Sequence, residues 1–299
     1  MKAKGYALAA ISALFYGLIP LFVLPIKAEH FSLDTTLFYR FFIAALFLLG
    51  YLLYKRESLR INRHELVCML LLGLFFALSS ECLFLGYDYL SAGIASSTLF
   101  VYPVLVALIM IFFFKEKLNR LTALSLVLTL GGVLILSTKG EHFELNYTGL
   151  FITLLSALFY ALYIVMVNKA KISFSGVKTA FYSILFTAVY FLAKVFILGN
   201  SLRIPSPSLL LSFALFAFVT TVLSILALVY AIKYIGSTPA AIMGALEPIV
   251  AVTISVTLFQ EQLTPSLSIG GTLIILGVIV NIIAEGKKEV DVKHLKPKL

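Results

Sequence analysis

Three charged side chains stand inside otherwise apolar runs of this chain: Arg40, Glu81 and Glu247. A charge at the centre of a helix in lipid costs ~2.5–3.5 kcal/mol on insertion scales, so each needs a partner, a cavity or a task. Glu247 is followed by Pro248, whose ring leaves the carbonyl four residues back, at Gly244, without its helical donor. A carboxylate beside a spare acceptor suits an ammonium or a hydroxyl. A helix-packing hydrogen bond from Glu247 to a neighbouring hydroxyl is the plainer alternative. Arg40 and Glu81 fall roughly 8 Å and 9 Å below one surface at a helical rise of ~1.5 Å per residue. That depth predicts an Arg40–Glu81 ion pair between consecutive antiparallel helices. Such a pair is either a structural clamp, with a snorkelling Arg40 as its variant, or a site. In a site, Arg40 meets an anionic group of a substrate while Glu81 balances it or takes up a proton, and proton coupling depends on whether the pair opens.

The elements that must position these groups are membrane helices. Of 299 residues, 61% are hydrophobic and only 12% charged, with mean hydropathy +1.06, whereas soluble domains carry about 25% charged residues. The exterior must therefore face lipid. The net charge of +9 is expected to track the side of the loops and not to mark a nucleic-acid partner. A spanning helix needs ~20 mostly apolar residues. Ten candidates occur, at about 5–26, 35–54, 65–87, 92–114, 121–138, 147–168, 177–198, 208–232, 237–259 and 266–284. Asp34, Ser91 and Asn119 stand as caps before the second, fourth and fifth. Ser206-Pro207, Thr238-Pro239 and Thr264-Pro265 put proline where a missing N–H does no harm. The basic-led first segment reads as an uncleaved span, since its apolar run is long and no small-residue cleavage site follows.

Lysine and arginine set the expected orientation. With the amino terminus inside, 18 of the 23 fall on inner loops and 4 (Lys27, Lys139, Lys194 and Arg203) on outer ones, leaving Arg40 in the membrane. This asymmetry predicts both termini in the cytoplasm and an even number of spans. The basic tail after Ala284 is expected to be solvated and to touch anionic lipid.

The chain also repeats itself. A shift of 145 residues lays Tyr234 on Tyr89, Ala240 on Ala95, Pro248 on Pro103, Glu261 on Glu116 and Leu263 on Leu118. Ser12-Ala-Leu-Phe-Tyr16 recurs as Ser156-Ala-Leu-Phe-Tyr160, and Thr36, Phe38 and Tyr39 as Thr179, Phe181 and Tyr182. Gly132-Val133 recurs as Gly277-Val278. One departure is informative: Tyr102 in the first copy becomes Glu247 in the second. Five helices is an odd number, so the second copy must enter from the opposite face. Inverted repeats follow, with a site at their seam and alternating access.

Other residues carry less. The repeat-equivalent pairs Tyr16 with Tyr160 and Tyr39 with Tyr182 could line the space between halves. Tyrosine also serves packing and the interfacial belt, which it must fill in a chain without Trp. Small residues every fourth position, Ala9, Ala13, Gly17 and Gly236, Ala240, Gly244, suit close helix packing or sliding contacts. Ser79-Ser80 and Ser96-Ser97-Thr98 line a path or bond their own backbone. Cys68 and Cys82 share an apolar run with no nearby histidine, which points to buried inert thiols with no disulfide and no metal site. His30, His64, His142 and His294 fall in loops or the tail, away from the membrane carboxylates, and no P-loop is present. No catalytic constellation and no cofactor is expected.

Phe38-Tyr-Arg-Phe-Phe-Ile-Ala44 and Glu247-Pro-Ile-Val250, with Lys115-Glu-Lys-Leu118, Gln260-Glu-Gln-Leu263, Gly131-Gly-Val133 and Leu276-Gly-Val278, form an ordered and duplicated pattern. In this the chain resembles the drug/metabolite transporter superfamily, in its ten-helix EamA-like branch, over about residues 5–284. The family often has glycine before the helix-end glutamate, where this chain has Lys115 and Gln260. The resemblance implies export or exchange of small metabolites across an inner membrane without nucleotide hydrolysis. It also implies a cavity lined by helices one to four and six to nine, with five and ten at the periphery.

The expectation is thus an all-α membrane protein of ten helices in two inverted five-helix repeats, 5–138 and 147–284, followed by a cytoplasmic tail, 285–299. It would carry a small polar or amphipathic metabolite such as an amino acid, with proton or counter-substrate coupling. Glu247, Tyr102, Arg40, Glu81, Tyr16, Tyr160, Tyr39 and Tyr182 are the candidate binding residues. A multidrug exporter whose Phe-rich walls set binding is the rival. A membrane-embedded enzyme or a channel is a further one, though Glu81 and Glu247 differ in depth and no histidine joins them.

Overall fold

A computed structural model describes residues 2–19, 21–22, 26, 31–90, 95, 98–116, 119–137, 146–170, 175–198, 202, 205–247, 249–250, 253, 257 and 265–295, with the side chains of 266–267 and 285–295 excepted. The expectations placed on Ser91, Ser96, Ser97, Leu118, Pro248, Gln260, Glu261, Leu263 and Thr264, and on His30 and His142, lie outside these residues. The helices are α1 (Lys2–Tyr16), α2 (Leu33–Tyr54), α3 (Arg63–Tyr89), α4 (Tyr102–Phe114), α5 (Arg120–Ser137), α6 (Tyr147–Lys169) and α7 (Gly176–Ile197). They continue as α8 (Pro207–Ile235), α9 (Ser237–Met243) with a 3-10 turn at Gly244–Leu246, and α10 (Pro265–Leu295). No strand occurs among the described residues. Helix α10 runs past Ala284, so the segment read as a solvated tail is helical as far as Leu295.

Apolar runs bounded by polar caps make these helices. Ser32, Asn62, Asn146, Ser175 and Ser206 each accept a backbone N–H of the first turn, and Asn62 with Glu65 completes a capping box. Asn119 accepts from the N–H of Leu121 at 3.4 Å, as its sequence position suggested. Two expected caps are displaced. Ser32, not Asp34, caps α2, which sets Asp34 inside the first turn. Thr238-Pro239 also lies inside its helix, because the chain reverses from α8 to α9 on Gly236 alone, at φ +87°. Lys115 ends α4 in the left-handed region at φ +54°. That conformation favours glycine and is strained for a lysine.

Helices α2, α3, α6, α7 and α8 are long and apolar enough to cross a membrane, and shorter apolar helices run at 102–114, 120–135, 237–246 and 268–284. In each of the five, about half of the apolar stretch is buried, so the other half is available to lipid. Tyr54 and Tyr147, at helix ends, are exposed, where an interfacial tyrosine belongs.

Packing brings α1 onto α8, α2 onto α7, α3 onto α6, α4 onto α9 and α5 onto α10. The closest approaches occur in matched pairs. A Cβ on Gly5 would stand 2.6 Å from Ile235 and 2.8 Å from Tyr234, and one on Gly149 would stand 2.8 Å from Leu90 and 2.6 Å from Tyr89. A Cβ on Gly132 would meet Gly270 O at 2.7 Å and Ile274 N at 2.9 Å, and one on Gly277 would meet Ser125 O at 3.0 Å and Thr129 N at 2.9 Å. The Ser12 and Ser224 hydroxyls lie 3.3 Å apart, as do those of Ser79 and Ser156. Ser224 donates to the Ser12 carbonyl at 3.2 Å and Ser156 to that of Ser79 at 2.7 Å. In each pair the residues of one contact are the register partners of the other. Without water or apolar driving force between helices in lipid, such close backbone contacts and interhelical hydrogen bonds hold the bundle together.

Candidate functional site

Where α1, α3, α4, α6 and α9 converge, five aromatic rings form one cluster. Tyr16 at the end of α1 stacks on Tyr160 of α6 at 6.1 Å between centroids. Tyr102, in the first turn of α4, meets Tyr160 edge-on at 4.8 Å. Phe76 of α3 closes on Tyr160 at 6.4 Å and on Tyr163 at 5.1 Å. All three clustered tyrosines proposed from sequence, Tyr16, Tyr102 and Tyr160, are buried.

Glu247 reaches this cluster from the 3-10 turn that ends α9. Its side chain is 7% exposed, and among the described residues its carboxylate has no hydrogen-bond or ion-pair partner. The plainer alternative weighed from sequence, a hydrogen bond from a neighbouring hydroxyl, is therefore not made among the described residues. The Gly244 carbonyl, read from sequence as spare, is also taken: the tightened turn lets the Glu247 N–H bond to it. What approaches Glu247 is a shared small space. A Cβ on Gly244 would lie 3.5 Å from Glu247 Oε1 and would overlap the Tyr102 hydroxyl. That hydroxyl donates to the Ala241 carbonyl at 3.1 Å. Gly17 admits the backbone of α9 from the α1 side, since its Cβ would stand 2.8 Å from Glu247 O.

Arg40 is 1% exposed and does not pair with Glu81. Its Nε donates to Thr221 Oγ1 at 2.8 Å, and its guanidinium carbon lies 4.6 Å from the Phe216 ring centroid, 5.2 Å from Phe41 and 5.8 Å from Tyr16. Thr221 belongs to a π-helical stretch, Ala217–Leu223, in the middle of α8. Such bulges widen one turn and are frequent at functional sites. The predicted pair fails because equal depth fixes only one coordinate. Arg40 is turned toward α8 and Glu81 toward α7.

Glu81 has its own cation. Lys194 Nζ lies 2.6 Å from Glu81 Oε1 and 3.0 Å from Asp34 Oδ1, while Tyr190 donates to Glu81 Oε2 at 2.6 Å. One lysine thereby ties α2, α3 and α7. Lys194→Met is expected to lower stability by ~2–3 kcal/mol, less than the ~3–5 kcal/mol of a fully buried broken pair because the side chains keep some solvent. Lys194→Arg should keep most of it. Thermal unfolding of the two variants in detergent measures the difference.

Tyr39 and Tyr182 stand apart from the cluster. Tyr39 packs on Phe213 at 5.4 Å. Tyr182 donates to the carbonyl of Leu59, beside a bond from Lys178 Nζ to the Arg60 carbonyl at 2.5 Å, so the start of α7 is strapped to the 55–62 segment. His64 is not in a loop: it lies in the first turn of α3, with Nε2 at 3.7 Å from Cys68 Sγ, and Cys82 is only half-buried. Sequence reasoning missed Thr221, Lys194, Asp34 and Tyr190. Lys194 was legible as a basic residue inside an apolar run, and Thr220-Thr221 as adjacent hydroxyls in one.

The description of the EamA-like transporter family matches this chain twice, over residues 3–138 and 147–283. The chain is 25% identical to the uncharacterized transporter YdfC of Bacillus subtilis over 236 residues, covering 78% of this chain and 77% of that one. It is 23% identical to an uncharacterized transporter of Clostridium kluyveri over 304 residues, covering 98% and 97%. An uncharacterized transporter of Archaeoglobus fulgidus matches at 25% over 276 residues, 92% and 95% of the two chains. A crystal structure of a protein superposes with a TM-score of 0.77 at 17% identity, over 95% of this chain and 98% of that one, which speaks to the fold.

Proposed function

The chain belongs to the EamA-like transporter family, and on that premise we propose that it is a secondary transporter of two inverted five-helix repeats. It is a multi-pass membrane protein. In this reading it lies in the inner membrane with both termini in the cytoplasm, and exports or exchanges a small polar or amphipathic metabolite such as an amino acid. The observation that carries the reading is the Glu247 carboxylate, buried beside the Tyr102 hydroxyl with no hydrogen-bond or ion-pair partner among the described residues. An uncompensated carboxylate at that depth is too costly to keep for packing alone. It is accounted for if a substrate ammonium or hydroxyl completes it.

The duplicated contacts support the inverted architecture. Under the repeat register, α1 on α8 becomes α6 on α3, and α2–α7, α4–α9 and α5–α10 map onto themselves. A pseudo-twofold axis in the membrane plane produces that pattern. Alternating access then exchanges the two halves' conformations about a site at the seam. The Lys194 bridge and the Tyr182–Leu59 strap tie opposite ends of α7, and each must loosen in turn for the cavity to open to both sides.

Counterflow in proteoliposomes, with labelled amino acids, nucleosides and lipophilic cations as separate panels, tests the proposal. Saturable exchange of a polar metabolite, with no electrical leak, is expected. Saturable flux of lipophilic cations alone favours the multidrug reading with its Phe41, Phe76 and Phe191 wall. Flux that does not saturate and outruns a conformational cycle would mean a channel.

A further inference from the structure

From the environment of Arg40 we infer an anion subsite that takes the carboxylate of the substrate, so that the cargo is a small amino- or hydroxy-carboxylate bound at two points. This rests on the transporter reading above and narrows it. Arg40 is 1% exposed, and its buried Nη2 has no hydrogen-bond partner among the described residues. No described carboxylate forms an ion pair with it, since Glu81 and Asp34 are both engaged by Lys194. The phenols of Tyr16, Tyr87 and Tyr160 act on it electrostatically, and the Tyr16 hydroxyl also stands within hydrogen-bonding reach of it.

Aromatic faces and the neutral hydroxyls of Thr221 and Tyr16 do not replace a counter-ion. Cation–π contacts contribute ~0.5–2 kcal/mol each, against a desolvation penalty of several kcal/mol for a buried ion. A guanidinium also presents donors in a planar fork suited to a carboxylate. Here Nε is spent on Thr221 and Nη2 is left over. The guanidinium carbon lies 5.8 Å from the Tyr16 ring centroid, and Gly17, the next residue, packs on the Glu247 backbone, where its Cβ would stand 2.8 Å from the carbonyl oxygen. The subsite and the carboxylate are therefore neighbours of one corner of the chain, Tyr16–Gly17, where a small molecule can meet both.

Symmetry separates this charge from the scaffold. The close glycine contacts and the serine hydrogen bonds between the halves are made twice. Arg40 is not repeated: its register partner is Ser183, and that of Thr221 is Phe76. Glu247 likewise has Tyr102 as its partner. The Lys194–Glu81–Asp34 bridge is also made once, but its charges satisfy one another, whereas Arg40 and Glu247 have no ion-pair partner among the described residues, and a molecule with an anionic and a cationic or hydroxylic end completes both.

The test uses the full-length protein in detergent. Thermal unfolding is followed with the protein amino acids, with α-hydroxy acids, and with the methyl esters and amines that lack a free carboxylate, each supplied as a pool. Wild type is expected to be stabilised by at least one carboxylate pool and not by the esters or amines. Arg40→Met should weaken that effect by about 10- to 100-fold in half-saturating concentration, as loss of one charged hydrogen-bond set implies, and Arg40→Lys should restore part of it. Equal stabilisation by esters, or no response of wild type to any carboxylate pool, overturns the subsite. If Arg40→Met unfolds, counterflow with wild type and competing esters gives the same discrimination without the variant. Saturable counterflow of a substrate with no acidic group would sink the subsite while leaving the transporter reading standing.

Discussion

Glu247→Gln is expected to reduce saturable counterflow by about 10- to 100-fold, the ~1.5–3 kcal/mol of a hydrogen bond to a charged group. Its unfolding temperature should be equal to or above that of wild type. The two results belong together. The carboxylate has no hydrogen-bond or ion-pair partner among the described residues, so replacing it by a neutral amide removes a desolvation cost and breaks no contact. If Glu247 instead stabilised the packing of α9 against α1 and α4, the amide would lower stability and spare transport in proportion to the folded fraction. Initial rates in proteoliposomes normalised to reconstituted protein, with melting curves of the same preparations, separate the cases. Wild-type transport by Glu247→Gln would remove the central support of the proposed site.

Gly244→Ala is expected to be the most damaging single methyl at the site, and Tyr102→Phe to repair part of it. The added Cβ would overlap the Tyr102 hydroxyl and come within 3.0 Å of its Cζ. Overpacking of a filled interior costs ~1–3 kcal/mol. The Tyr102→Phe change alone forfeits the hydrogen bond to the Ala241 carbonyl, ~0.5–1.5 kcal/mol. In the double variant the overlapping oxygen is gone, so its stability should exceed that of Gly244→Ala, although the close Cζ keeps it below wild type. A double-mutant cycle on melting temperature reads this coupling directly. Simple additivity of the two changes would mean that the Tyr102 hydroxyl and Gly244 do not face one another as described.

The individual residues show how far a sequence reading reaches. Tyr16 and Tyr160 were paired by a five-letter repeat, and they do stack, because equivalent positions near a twofold seam lie close to one another. The same logic applied to Tyr39 and Tyr182 does not bring them to the cluster. They sit in the early turns of α2 and α7, where Tyr39 packs on Phe213 and Tyr182 bonds the Leu59 carbonyl. Lys115 shows a local rule surviving a substitution: the turn keeps its left-handed residue although glycine is absent. Arg40 and Glu81 show the limit of counting depth along helices. Helical rise places a residue along the membrane normal, but its bearing around the helix axis is decided by which neighbours pack there.

Composition alone determined that this chain lives in lipid, because 12% charged residues cannot cover a soluble surface. Ordered, duplicated motifs determined its family. The isolated charges marked where a physical explanation was owed, since lipid makes each of them expensive wherever it falls. Only the tertiary structure decided how those charges are met: Glu81 by a lysine from a helix more than a hundred residues away, Arg40 by a hydroxyl on a π-helical turn, and Glu247 by nothing within the described chain. The reason is geometric. Hydropathy and helical period act along one element, whereas a counter-ion is found by the rotation and spacing of several elements packed together.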